Sequence, residues 1–178
     1  MREQFETARL VLRRPVAADA EAIFERYASD VEVTRYLSWP RHRTIADTHA
    51  FLEFSDAEWH RWRCGPLLAF SRVDGTLLGS SGLGFEPNHH AVTGYVFARD
   101  AWGRGYATEV LHAMVDLAAA MSVVRLSATA HVDHRASWRV MEKCGFEREG
   151  VLRRHTVFPN LSIEPADVVI YSRPPRGS

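Results

Sequence analysis

Arg99-Asp100-Ala101-Trp102-Gly103-Arg104-Gly105-Tyr106-Ala107-Thr108-Glu109 is the stretch on which the reading of the whole chain turns. The apolar run Val92 to Phe97, around Gly94, precedes it and reads as a strand. After it, Ala107, Val110, Leu111, Met114, Val115 and Ala118 recur at steps of three and four, which is one face of a helix. Gly103-Arg104-Gly105 therefore sits where a strand turns into a helix. Two glycines there let the backbone bend sharply and let a ligand approach without Cβ atoms in the way. The first helical turn has free N–H groups and the positive end of the dipole, which suits a phosphate. A tight turn with no ligand would use the same residues, so a second signal is needed.

That signal is His134-Arg135-Ala136-Ser137-Trp138-Arg139-Val140-Met141-Glu142-Lys143-Cys144-Gly145-Phe146. Together the two stretches resemble the GNAT N-acetyltransferase superfamily, in particular its branch of ribosomal-protein alanine and serine N-acetyltransferases. The superfamily carries Gln/Arg-x-x-Gly-x-Gly/Ala for the acetyl-CoA diphosphate, and Trp102-Gly103-Arg104-Gly105-Tyr106-Ala107 matches it with Trp102 in the first place. Its second motif is Asn-x-x-Ser followed by a short helix ending Glu-Lys-x-Gly-Phe. Ser137 and Glu142 to Phe146 match, and His134 stands where Asn is usual. The resemblance runs from about Arg9 to Tyr171.

The resemblance implies an α/β fold, with a mixed, mostly antiparallel, twisted sheet of about seven strands, flanked by helices and splayed at one parallel strand pair. It implies acetyl-CoA as cosubstrate. The N–H groups of Gly103, Arg104, Gly105, Tyr106, Ala107 and Thr108 would hold the diphosphate. Phe97, Ala98 and Arg99 would hydrogen-bond the pantetheine arm, and His134 and Ser137 would face that arm. The implied reaction is direct transfer of acetyl to a primary amine in a ternary complex, and the branch points to a protein N-terminal α-amine. Many members use a Tyr as acid seven positions after the Asn. Met141 stands there, so Ser137 is the candidate for a hydrogen bond to the leaving sulfur. For a base, His131 lies near the carboxyl end of its strand on the polar face, and Glu86 ends the strand before the one leading to the glycines.

Length and composition agree with a single domain over residues 1–178, with ordinary apolar (46%) and charged (25%) content. Twenty-two basic residues balance 22 acidic ones, which argues against a broad basic field for nucleic acid. No apolar run is long enough to span a membrane, and Met1 to Glu6 has no apolar signal core, so the expected place is the cytoplasm. Cys64 and Cys144 lack metal-type spacing, and the nine histidines form no metal motif. A monomer or a homodimer is expected. Two other readings stay open: a non-catalytic CoA-binding regulator, and an acetyltransferase of a small drug or metabolite amine.

The elements follow in order. Arg9 to Arg14 alternates as a strand, Ala17 to Tyr27 is a helix, and Asp30 to Arg43 is an unusually aromatic linker that suits one wall of an acceptor pocket. Thr44 and Asp47 begin a helix expected to bury Ile45, Phe51, Leu52 and Trp59. Asp74-Gly75 turns a hairpin between Leu67 to Val73 and Thr76 to Phe85. Val123 to His131 is a strand parallel to Val92 to Phe97, and Gly145 caps the helix that starts near Arg135. Phe146 to His155 and Ala166 to Tyr171 are the last strands, joined by a loop long enough to touch substrate or a second subunit.

Overall fold

The computed structural model describes residues 4–173. Its strands are β1 (Gln4–Glu6), β2 (Leu10–Arg13), β3 (Pro66–Ser71), β4 (Leu77–Glu86), β5 (His90–Phe97), β6 (Arg125–His131), β7 (Glu147–Val157) and β8 (Pro165–Arg173). They form one sheet in the order β1-β2-β3-β4-β5-β6-β8-β7. Only β5 and β6 run parallel, and they pair over a short length, His90 with Arg125 through Val92 with Ser127. Beyond Val92 the two strands part. The splay at one parallel pair is thus present, in a sheet of eight strands rather than seven. The extra strand is β1, which pairs Phe5 with Leu12. With three residues and a single apolar side chain it shows no alternation, and its place is set from outside. Thr7 N–H bonds the Leu10 carbonyl, and the Thr7 hydroxyl bonds Glu109 at 2.6 Å.

The helices are α1 (Ala20–Ile23), α2 (Val31–Thr34), α3 (Ile45–Trp62), α4 (Tyr106–Ala120) and α5 (Arg135–Lys143). The expected helix over Ala17 to Tyr27 exists but changes pitch. A 3₁₀ turn, Ala17–Asp19, leads into α1, and a π turn, Phe24–Ala28, follows it. The linker after it holds the short α2, capped by Asp30, whose carboxylate accepts from the N–H groups of Glu32 and Val33. Asp47 accepts the N–H groups of Arg43 and Thr44, which starts α3 where expected. That helix buries Leu52 and Trp59, but Ile45 is 40% exposed because the first turn lies beyond the edge of the core.

The main core lies between the sheet and α4, with Val110, Leu111, Met114, Val115 and Ala118 buried as their spacing requires. A second cluster on the other face packs Ile23, Tyr27, Val33 and Leu52 against Leu68 and Leu77. Full burial of one such side chain contributes about 1.5–3 kcal/mol, and the main core takes buried residues from both strands of the splay, Ala91 and Phe97 of β5 and Leu126 and Ala128 of β6. At the end of α5, Gly145 has φ +74°, its N–H bonds the Glu142 carbonyl, and the Phe146 N–H bonds that of Met141. This is a Schellman ending, and buried Phe146 packs back on the core.

Candidate active site

The gap between β5 and β6 is defined by backbone alternation. Ala98 N–H bonds the Leu78 carbonyl on β4, and Val124 N–H bonds the His89 carbonyl from the β6 side. In an antiparallel ladder alternate residues turn their backbone groups to alternate neighbours. Gly94, Val96 and Ala98 therefore face β4, while Thr93, Tyr95 and Phe97 turn their groups toward the gap. Of the expected Phe97-Ala98-Arg99 contact, Ala98 is already committed on both sides, since its carbonyl also accepts from Ala101 N–H. The Arg99 guanidinium is drawn to Asp30 at 2.8 Å. Phe97 keeps its N–H toward the gap, and its carbonyl accepts the Trp102 indole N–H at 2.8 Å. Trp102, in the position of the family's Gln/Arg, thus locks the turn to the end of β5.

Past Trp102 the chain turns through Gly103 at φ +72° and Gly105 at φ +80° into α4. Both lie in the left-handed region, where a Cβ costs about 1–2 kcal/mol. A Cβ on Gly103 would meet nothing within 4 Å, and no side chain caps the helix. The start of α4 is therefore an open nest of N–H groups at the positive end of a 15-residue helix. Gly103, Arg104, Gly105, Tyr106, Ala107 and Thr108 all lie in it. The nest is braced from behind. Arg9 bonds the Arg104 carbonyl at 2.9 Å and Glu109 at 2.7 Å, and its guanidinium lies 4.5 Å from the Tyr106 ring centroid. Burial pushes the Glu109 carboxyl up, but the Thr7 hydroxyl, the Arg9 N–H and the Arg9 guanidinium outweigh it and hold it below the usual range. This cradle, open above the glycines and rigid below, fits a diphosphate.

Ser137 lies on the first turn of α5 and meets a partner that the motifs do not contain. The Tyr95 hydroxyl from β5 stands 2.9 Å from Ser137 Oγ and 3.0 Å from the Ser137 carbonyl. Burial pushes that phenol well above its ordinary value, so it remains a donor at neutral pH. Met141, where the family's Tyr would stand, is buried in the core. The signal for Tyr95 was available only as an aromatic on the gap-facing parity of β5.

His131 and His134 come together with two rings from elsewhere. Tyr36 stacks on His134 at 4.8 Å and 19°, and lies 5.0 Å from His131, which meets Phe158 edge-on at 5.0 Å. Of the aromatic linker, Tyr36 is the ring that joins this cluster. The linker is tied down by Asn160, whose amide donates to the carbonyls of Thr34 and Trp39 and accepts from Arg41 N–H. Asn160 is a residue that sequence reasoning missed. His131 Nδ1 accepts the Asp133 N–H at 3.1 Å. Glu86 is not part of this assembly. It pairs with His90, which pairs with Arg125 at the start of β6. The length of β6, roughly 20 Å at about 3.3 Å per residue, separates that end from His131. The hairpin after Glu86 turns it away from the splay.

The profile of the Acetyltransferase (GNAT) domain family matches residues 9–147. The chain belongs to the GNAT acetyltransferase family. It is 33% identical to an uncharacterized N-acetyltransferase, YoaA, of Bacillus subtilis over 94% of each chain. A GNAT-family acetyltransferase from Bacillus anthracis superposes with a TM-score of 0.83 at 26% identity, covering 96% of this chain and 98% of that one. RimL, a ribosomal L7/L12 alpha-N-protein acetyltransferase solved with coenzyme A, superposes with a TM-score of 0.86 at 21% identity over 97% and 98%, a likeness of fold. The chain is thus an acetyl-CoA-dependent acetyltransferase with a GNAT fold, and the glycine nest at the start of α4 lies within the matched residues. No helix among the described residues is long and apolar enough to cross a membrane.

Proposed function

We propose that this GNAT acetyltransferase moves acetyl from acetyl-CoA to a protein N-terminal α-amine, by direct transfer in a ternary complex. The observation that carries the reading is the pairing of two different walls at one gap. On one side stand the glycine nest, the gap-facing groups of β5 and the Ser137–Tyr95 pair. On the other stands the ring wall of Tyr36, His131, His134 and Phe158.

The N–H groups of Gly103 to Thr108 hold the diphosphate. The free edge of β5 at Thr93, Tyr95 and Phe97 receives the amide-bearing arm as a further strand would be received. A preorganised N–H such as that of Phe97, aimed where charge develops on the thioester oxygen, contributes on the order of 3 kcal/mol to such a barrier. The Tyr95 hydroxyl has one proton and two acceptors in reach. When it donates to Ser137 Oγ, the Ser137 proton is free to bond the leaving sulfur. Serine stabilises the thiolate there rather than titrating.

The ring wall supports an acceptor with a single amine. Among the described residues the carboxylate recorded beside these rings is Asp133, which is exposed. A polyamine, with several cationic nitrogens, would meet that one exposed carboxylate there. The branch resemblance and the fold likeness to an alpha-N-protein acetyltransferase add support for an α-amine. The chain acts as one domain, in the cytoplasm, as a monomer or a homodimer.

Thiol release from acetyl-CoA tests this with Ser-led and Ala-led tripeptides, spermidine and an aminoglycoside as acceptors. Turnover of a tripeptide above the others is expected. Turnover of a small amine with both peptides silent would replace the proposal with the small-molecule reading.

A further inference from the structure

We infer that His134 is the general base of the transfer, its imidazole taking a proton from the acceptor's ammonium group. The inference rests on the N-acetyltransferase reading above and assigns a step that the family motif, with Asn in this position, leaves without a titratable group.

His134 is the residue that joins the two walls. It precedes α5 on the same turn as Ser137, and its carbonyl accepts the Ser137 N–H at 3.0 Å. Its ring stacks on Tyr36 within the ring wall. Among the described residues no hydrogen bond is made to its ring nitrogens, so a neutral imidazole there keeps a lone pair for a proton. His131, the other imidazole of the cluster, is occupied. A neutral imidazole has one acceptor nitrogen, and His131 uses Nδ1 to accept the Asp133 N–H. Its Nε2 then carries the hydrogen, so its one lone pair already has a partner and none faces an incoming amine.

The groups facing His134 are few. They are the Tyr36 ring, with the Arg35 guanidinium 5.4 Å over that ring, then His131, and Asp133 beyond it at 3.7 Å from His131 Nδ1. Burial, then the neighbouring His131, pushes the His134 imidazole below its ordinary value. It is therefore neutral and able to accept at neutral pH. An α-ammonium, with an ordinary pKa of about 8, is mostly protonated there. In the step, one proton leaves the ammonium for the imidazole. The amine nitrogen then forms the C–N bond as the C–S bond breaks. The second amine proton goes to the sulfur, and the imidazolium returns its proton to water. Ammonium and thioester give amide, thiol and one proton.

The test compares wild type, His134→Asn and His131→Asn with three amines, reading thiol release from acetyl-CoA between pH 6 and 9. The amines are an Ala-led tripeptide, glycinamide at high concentration, and hydroxylamine, which is already largely neutral at pH 7. For the tripeptide, His134→Asn should lower kcat/KM at pH 7 about tenfold or more, with the loss shrinking above about pH 8 as the amine deprotonates itself. With hydroxylamine the loss should stay below about twofold. Equal losses with both amines would mean that His134 only holds the cofactor arm, and would overturn the assignment. So would no loss, or the pH-dependent loss appearing in His131→Asn instead. Glycinamide separates the two proposals. If wild type turns it over but not the tripeptide, the protein N-terminus reading fails and the base is read from glycinamide. No turnover with any amine overturns both.

Discussion

Gly79 on β4 sits directly against the end of β5 that borders the gap, and replacing it with Ala measures how tightly that edge is held. A Cβ at this position would stand 2.2 Å from the Val96 carbonyl oxygen, 2.8 Å from Phe97 Cδ1 and 2.9 Å from Phe97 Cα. Two of the three obstacles are backbone, so no rotamer change relieves them, and β5 itself must move by the better part of an ångström. Overpacking of this kind costs about 1–3 kcal/mol, and backbone obstacles put it at the upper end. For a chain of this size about 3 kcal/mol lowers Tm by roughly 6–12 °C. Gly94→Ala is the control on the same strand, because its Cβ meets nothing within 4 Å and its φ is not positive. It should be neutral or raise stability by up to about 1 kcal/mol, by restricting the unfolded chain. Urea and thermal unfolding followed by circular dichroism give both values. Because the displaced residues include Phe97, acetyl-CoA affinity should fall in Gly79→Ala and hold in Gly94→Ala. A Gly79→Ala protein within 1 kcal/mol of wild type, or equal losses in the two variants, would refute the claim that this edge is fixed by close packing.

Other changes separate the parts of the site. Gly103→Ala puts a side chain at φ +72° and should cost about 1 kcal/mol in stability. It should remove most of the Tm gain of roughly 5–10 °C that acetyl-CoA at 100 times its Kd gives wild type. NAD, as a control ligand, should give no gain in either protein. Asn160→Ala leaves the Thr34 and Trp39 carbonyls and the Arg41 N–H without their amide partner. It should raise KM for the acceptor severalfold while acetyl-CoA affinity, by calorimetry, stays unchanged. The Glu149 carboxyl is pulled down to about 2, first by the Arg125 guanidinium and then by the Ser172 hydroxyl. Since the native value lies below the unfolded one, its stabilisation is fully present above about pH 4.5 and is lost as pH falls toward 2. Both side chains are more than a third exposed, at 36% and 38%, so the contribution is at most about 1 kcal/mol. In Glu149→Gln the unfolding free energy from urea titration should drop by that amount at pH 6 and approach wild type near pH 2.

Much of the fold was legible because its signals are local. The helical spacing from Ala107 to Ala118, the Asp74-Gly75 turn and the Gly145-Phe146 ending each depend on residues close in sequence. The splay was legible only through the family, since nothing in Val92 to Phe97 or Arg125 to His131 says that pairing stops after Val92. β1 was invisible for a physical reason: a strand of three residues is held by Thr7 and Glu109, 102 positions apart. The same holds for Tyr95, which reaches Ser137 across 42 positions, and for Asn160, which reaches back to Thr34 across 126. Glu86 was misjudged because ending a strand that borders β5 does not say which end of β5 it borders. The antiparallel turn puts it at the closed end.

The two sides of the gap are built from different materials, and this bears on why the cosubstrate was readable and the acceptor was not. The side proposed for the cosubstrate is made by backbone: positive φ at two glycines, the parity of β5, and an uncapped helix start. Such features leave marks in sequence, because only certain residues permit them. The side proposed for the acceptor is made by side chains that meet from α2's linker, β6, the start of α5 and the loop after β7. Each of Tyr36, His131, His134 and Phe158 is an ordinary surface or core residue until the others arrive. One amide, that of Asn160, holds the linker in register with the rest. A wall assembled in this way can change its rings without disturbing the nest or the strand edge. His134 stands at the seam, on the helix of one side and against the rings of the other. Exchanging Tyr36 should therefore alter which amine is taken with little effect on acetyl-CoA binding, whereas exchanging His134 should alter how the proton leaves, whatever amine is bound.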